Sequence, residues 1–255
     1  MTRELHPDRP LVAGNWKMNG TPASARVLVA ELVSRLADRP LAEVLILPPF
    51  TALEAVGTVL AGDPRVRLGA QNCHWEPKGA FTGEISAPML ESLCDYVLVG
   101  HSERRHLLGE SDEVVRRKLG AVLEAGLLPI LAVGETGAER EGGLTAEVVE
   151  RQTRAGLEGL SPSQVALCTI AYEPVWAIGT GATATPEDAT AAAELIHRVV
   201  AEMAGSAVVV RVLYGGSVTA ANAASLVRAR GVMGALVGGA SLKAEEFAAI
   251  VAAAG

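Results

Sequence analysis

The sequence predicts an α/β protein, a single (β/α)8 barrel, from three observations. Short apolar runs alternate with longer amphipathic runs eight times along the chain. The short runs are apolar almost throughout, as parallel strands covered on both faces are. No Gly-rich nucleotide loop follows an early strand, and a doubly wound sheet of eight parallel strands, the alternative, would carry one. At 255 residues the chain can bury one large core, and α/β barrels of this length commonly form one domain, here residues 1–255.

The strands are predicted at residues 11–14, 44–47, 66–69, 96–99, 129–133, 167–171, 208–213 and 235–237. A helix at 23–36 has apolar residues at helical spacing, with Pro22 near its start. Weaker helical patterns follow at 52–60 and 88–93. Ser111-Asp112 caps a helix at 113–124 whose exposed face is expected to carry Arg116, Arg117 and Lys118. Another weak pattern covers 146–157. Thr185-Pro186 opens a helix at 187–203, a capping residue followed by proline at the first helical position. Thr219 precedes a helix at 220–228, and a last helix spans 244–253.

Composition excludes several classes. With 49% hydrophobic and 20% charged residues, the chain is not disordered. The mean hydropathy of +0.29 comes largely from alanine, and Glu124, Pro129 and Arg211 interrupt the most apolar regions, so no membrane span is expected. The opening MTRELHPDRP has no apolar core and does not read as a signal peptide. Cys73, Cys94 and Cys168 lie far apart, which points to reduced thiols and a cytoplasmic location. Cys73-His74 has no second ligand pair nearby, so no metal site is expected. A net charge of −7 argues against nucleic acid as a partner. An anionic substrate would therefore need local positive potential.

In such barrels the active site forms where the strands end. Here Asn15-Trp16-Lys17 follows the first strand, Gly100-His101-Ser102-Glu103 the fourth, and Tyr172-Glu173-Pro174 the sixth. Pro174 keeps Glu173 extended at the strand end. The apolar stretch after it suits a lid, and a carboxylate under a greasy lid suits a general base whose basicity rises as water is excluded. His101 precedes a helix start, where positive potential favours a neutral imidazole. Lys17, after an almost wholly apolar strand, is expected to face inward. Gly215-Gly216 with Ser217, and Gly238-Gly239, follow strands seven and eight, where barrels hold phosphate on backbone N–H groups.

Five motifs resemble the triosephosphate isomerase family, in order and over nearly the whole chain. They are Asn15-Trp16-Lys17-Met18-Asn19, Val99-Gly100-His101-Ser102-Glu103-Arg104-Arg105, Ala171-Tyr172-Glu173 with the lid Pro174-Val175-Trp176-Ala177-Ile178-Gly179-Thr180-Gly181, Tyr214-Gly215-Gly216-Ser217 and Gly238-Gly239-Ala240-Ser241-Leu242. In that family a carboxylate base, a neutral histidine and a closing loop are the established parts. The resemblance implies Glu173 as the base, His101 as the neutral electrophile, and Lys17 and Asn15 at the substrate oxygens. It further implies Gly179, Ser217, Gly238 and Gly239 at the phosphate, and Glu103 behind the lysine and histidine. A triose phosphate substrate, no cofactor and a place in glycolysis and gluconeogenesis are implied as well. So is a homodimer, in which Thr82 of the loop at 71–84 reaches the partner.

Four positions depart from the family's usual pattern. Ala132 stands for a cysteine and Ala182 for a lysine, while Ala201 and Met233 stand for an arginine and an aspartate. If that last couple forms an ion pair elsewhere, losing both together leaves no orphan charge. Two alternatives stay open to the residues: another phosphosugar isomerase on the same barrel, or a catalytically silent barrel used for binding.

Overall fold

The structure is a computed structural model that describes Leu5, residues 8–179 and residues 183–255. Eight parallel strands close into a barrel: β1 Leu11–Asn15, β2 Glu43–Leu47, β3 Val66–Ala70, β4 Tyr96–Val99, β5 Leu128–Val133, β6 Thr169–Tyr172, β7 Arg211–Tyr214 and β8 Gly234–Val237. Each pairs with the next, and β8 returns to β1. That seam is uneven. β8 shares four register positions with β1, from Leu11↔Gly234 to Gly14↔Val237, but one with β7, Tyr214↔Ala235.

The helices are α1 Pro22–Arg35, α2 Leu53–Leu60, α3 Ala87–Leu90, α4 Ser102–Leu107, α5 Asp112–Glu124, α6 Gly137–Glu141, α7 Thr145–Leu157, α8 Pro162–Val165, α9 Pro186–Ala204, α10 Ala223–Val227 and α11 Ala244–Ala254. Capping boxes at Thr21 and Thr185 start α1 and α9, each with proline in the first turn, so backbone donors that have no helical partner are satisfied locally. Among the described residues, no helix is long and apolar enough to cross a membrane. The three cysteines are buried, and burial pushes the Cys73 and Cys168 thiols up to about 12.

Side-chain alternation along the strands builds two cores. Val12, Val44, Ile46, Val97 and Val99 face the helix layer, whereas Leu11, Ala13, Leu45, Leu98, Ala171 and Leu213 fill the barrel interior. The inward rows become polar at both ends. At the N-terminal floor, Glu43, Tyr96 and Arg211 meet. Arg211 Nη1 donates to Glu43 Oε2 at 2.6 Å and Nη2 to the Tyr96 oxygen at 2.8 Å, while the Tyr96 hydroxyl donates to Glu43 Oε1 at 2.8 Å. Arg67 adds a bond to Glu43 at 3.0 Å. Burial would push the Glu43 carboxyl up, but Arg211 and the other donors outweigh it and hold the pKa below the usual range.

Several elements differ from the sequence expectation. β6 and β7 start at Thr169 and Arg211, not at residues 167 and 208, and leave Leu167 and Val209 exposed. The helices expected at 88–93 and 220–228 shorten to α3 and α10, and α4, α6 and α8 are additional turns. Lys118 is not on an exposed face. It lies three residues after Val115 and four before Val122, so the helical period turns it inward with them. There its ammonium pairs with Glu110 and donates to Asn72 Oδ1 at 2.8 Å. Of the departing positions, Ala132 is wholly buried in β5 and Met233 bonds through its backbone to β1 and β7, its N–H reaching Val212 O at 2.7 Å. Ala201 sits in the last turns of α9, and Ala182 lies outside the described residues.

Candidate active site

At the C-terminal end of the strands the same inward rows deliver the polar groups. Asn15 follows Leu11 and Ala13 in β1, and Glu173 follows Ala171 after β6. His101 breaks this parity, because residues 97 and 99 face the helices. Gly100 makes the break with φ +71°, a left-handed turn that favours glycine. A cavity of about 510 Å³ opens there, and its lining includes Asn15, Lys17, His101, Glu173, Gly179, Ser217, Gly238 and Gly239. Every residue expected at the base, the electrophile, the cation and the phosphate therefore lines one cavity. Glu103 stands beside it.

Lys17 is held in a sparsely populated backbone conformation, φ +53°. Asn15 Oδ1 accepts its N–H at 3.0 Å, and Gln71 Nε2 donates to its carbonyl at 2.9 Å and to Leu47 O at 2.8 Å. Three strands thereby fix the root of the side chain. Its Nζ donates to Glu103 Oε1 at 2.6 Å.

His101 caps α4: the Glu103 N–H donates to its Nδ1 at 3.2 Å. An accepting Nδ1 leaves the ring proton on Nε2, which lies 3.0 Å from Glu173 Oε1. Burial pushes the imidazole pKa down, but the Glu173 carboxylate outweighs it and raises it. The helix-end bond thus favours the neutral ring, while Glu173 exerts most of the raising influence and Glu103 a smaller part.

Glu173 is buried, and its Oε2 accepts the Ser102 N–H at 2.9 Å. Here the structure corrects the sequence reading. Burial alone would raise its basicity, but His101, the Ser102 N–H and Lys17 outweigh burial and hold the carboxyl below its usual range. The carboxylate is stored against its neighbours. Gly215 makes room for it, since a Cβ there would fall 2.8 Å from Glu173 Cγ.

The lid starts with a 3-10 turn, Val175–Ala177. Trp176 and Ile178 are half-buried. Trp176 Nε1 donates to Glu135 Oε1 at 2.8 Å, and the Arg140 guanidinium lies 4.2 Å over its ring. Thr180 and Gly181 lie outside the described residues. Thr82 is exposed on the loop at 71–84, away from the cavity lining, and His74 organises that loop by stacking on Trp75 and lying tilted against Phe81.

Sequence reasoning missed Gln71, Glu135, Arg140 and Asn222. Asn222 folds the loop after β7, with Oδ1 accepting the Thr219 N–H at 2.7 Å and Nδ2 donating to Ser217 O at 3.2 Å. Gln71 comes directly after β3, and Glu135 lies just beyond the end of β5. Their places at strand ends are the signal that could have found them, as it found Lys17 and Glu173. No group of His, Cys, Asp and Glu side chains among the described residues could hold a metal ion.

The family model for triosephosphate isomerase matches residues 10–254. The chain belongs to the triosephosphate isomerase family. It is 52% identical over 245 residues to the triosephosphate isomerase of Roseiflexus castenholzii, covering 95% of this chain and 96% of that one. It is 53% identical over 248 residues to that of Symbiobacterium thermophilum, covering 96% of both. A crystal structure of triosephosphate isomerase from Bartonella henselae superposes with a TM-score of 0.85 at 41% identity, covering 95% of this chain and 97% of that one. This isomerase is therefore an aldose–ketose isomerase on a TIM barrel, and a place in glycolysis follows.

Proposed function

We propose that this isomerase interconverts D-glyceraldehyde 3-phosphate and dihydroxyacetone phosphate with Glu173 as base, His101 as neutral electrophile and Lys17 as the cation at the reacting oxygens. The carrying observation is the contact between Glu173 and His101 Nε2, 3.0 Å, at the wall of a cavity that Lys17 also lines. A substrate oxygen that takes the Nε2–H bond displaces the carboxylate. Displacement removes the main influence that keeps Glu173 a weak base, so binding itself restores its basicity.

Glu173 then takes a proton from C1 or C2, and the electron pair moves onto the carbonyl oxygen as an enediolate. His101 Nε2–H and the Lys17 ammonium stabilise that charge, each contributing about 3–4 kcal/mol if it behaves as a typical oxyanion donor. A proton passes between the two oxygens and Glu173 returns its own to the other carbon. Asn15 supports Lys17 and the same oxygens. Gly179, Ser217, Gly238 and Gly239 hold the phosphate, where the 3-10 turn Gly239–Leu242 begins and its first N–H groups have no partner inside the turn. The lid from Pro174 to Gly181 excludes water, which protects the enediolate from expelling phosphate. The chemistry needs no metal or organic cofactor.

The protein works as a homodimer in the cytoplasm. Met18, beside Lys17, is 95% exposed and Phe81 is 43% exposed, which supports a covering partner at the loop carrying Thr82. The buried Cys73 and Cys168 thiols suit a reducing compartment. The test is isomerisation of glyceraldehyde 3-phosphate by the purified chain, with its mass read by light scattering. Absence of turnover would reject the assignment, and a fully active species near 26 kDa would reject the dimer.

A further inference from the structure

The ladder between β4 and β5 stops at Val99↔Leu131. The next pair in register would be Gly100 and Ala132. Instead, one side chain holds both of their carbonyls: Arg105 Nε donates to Gly100 O at 2.8 Å and Nη2 to Ala132 O at 3.1 Å. Its third arm, Nη1, donates to Asp112 Oδ1 at 2.7 Å, and Asp112 also pairs with Arg151 of α7. The Arg105 side chain is only 6% exposed. Gly100 is the root of His101, and the residue after Ala132, Val133, accepts the Glu173 N–H at 2.7 Å.

We propose that Arg105 is a positioning residue for the isomerisation, a three-armed clamp that sets the His101 ring against the strand on which Glu173 is hung. This rests on the assigned roles of His101 and Glu173. Gly100 leaves the sheet pattern in order to turn His101 into the cavity, so the sheet no longer fixes that backbone. A planar guanidinium replaces the missing ladder with directed bonds to both strands. Without it, the ring and the carboxylate drift relative to one another while the substrate's phosphate grip, at β7 and β8 on the other side of the mouth, is untouched.

The test is Arg105→Lys, which keeps the charge but reduces the three-armed clamp to a point. A shift of about 1 Å in the ring costs up to about a hundredfold in rate, so kcat should fall about 10- to 100-fold with KM within about threefold. The ring Nε2–H resonance of ¹⁵N-labelled His101 should also move in the free enzyme, a readout independent of turnover. Val122→Ala, a core truncation in α5, serves as the destabilised control and should leave kcat and that resonance unchanged. If Arg105→Lys does not fold, Asp112→Ala loosens the third arm and should lower kcat severalfold. A folded Arg105→Lys with kcat within twofold and an unmoved resonance overturns the clamp, as does an unchanged kcat in Asp112→Ala or an equal loss in Val122→Ala. An inactive wild type would instead overturn the catalytic assignment and leave the resonance as the reading of Arg105.

Discussion

The floor and the mouth of this barrel are built from the same side-chain chemistry and behave oppositely. On the floor, the buried Glu43, Tyr96 and Arg211 and the part-exposed Arg67 bond to one another across β2, β3, β4 and β7. At the mouth, Lys17, Glu103, His101 and Glu173 also pair across three strands, but around an open cavity. Both ends hold a carboxylate below its usual pKa with positive neighbours. On the floor, Glu43, Tyr96 and Arg211 are buried away from solvent, which keeps their mutual bonds in place. At the mouth, on the proposed roles, a substrate oxygen and phosphate replace them. The lesson is that a buried charge network is catalytic only where its bonds can be traded.

The largest effect expected is on the floor. Arg211→Met leaves Glu43 buried without its main partner, which costs about 3–5 kcal/mol of stability. Turnover per folded molecule should stay near wild type. Chemical denaturation with active-site titration checks both, and a lost kcat in the folded fraction breaks the division between the two ends.

Glu173→Asp is the mirror experiment. The carboxylate retreats by about one methylene, and a misplacement near 1 Å costs about a hundredfold or more in turnover. Melting temperature should hardly change. Near-normal turnover would remove Glu173 from the role of base.

Lys17→Met should weaken both binding and turnover, because the bound phosphate and the developing oxyanion each feel that charge. The effect on each separately is expected to be smaller than that of Glu173→Asp on turnover. Normal affinity for a phosphorylated inhibitor together with normal kcat would make Lys17 a mere surface group.

The smallest effect is a pH difference on the floor. The Glu43 pKa is depressed in the folded protein, so its contribution is present above the unfolded value of about 4.3 and is lost as pH falls through the lower folded value. The stability gap between wild type and Glu43→Gln should therefore be widest above about pH 5 and close progressively in acid. A gap that widens on acidification would mean the pairing has been misread.

Much of this contrast was legible in the sequence, and unevenly. Strands such as β2 and β4 declare themselves because burial on both faces leaves almost only apolar residues. The proposed catalytic set was legible because its members sit immediately after strands. The floor was not, since Glu43 and Arg211 lie at strand starts, where a charge reads as a boundary or an interruption. Arg211 shows the cost: the run from Val208 looks like one strand, yet Val209 is exposed and pairing begins at Arg211. Lys118 was misjudged for a simpler reason. Three consecutive charges look like a solvated face, although the spacing from Val115 already turned the third one inward. The stored position of Glu173 could not be read at all, because it depends on Ser102 and His101, 71 and 72 residues away in the chain.

The uneven seam at β8 has a consequence for how the protein is made. β8 takes four register positions from the first strand and one from its chain neighbour β7. Until the last segment emerges from the ribosome, β1 and β7 each present a bare edge of unpaired backbone, the kind that recruits other nascent chains. The edge left open longest belongs to the strand made first. Aggregation during synthesis should therefore be governed by how soon β8 reaches β1, and a segment supplied in trans with the β8 sequence would find its docking site on the oldest part of the chain.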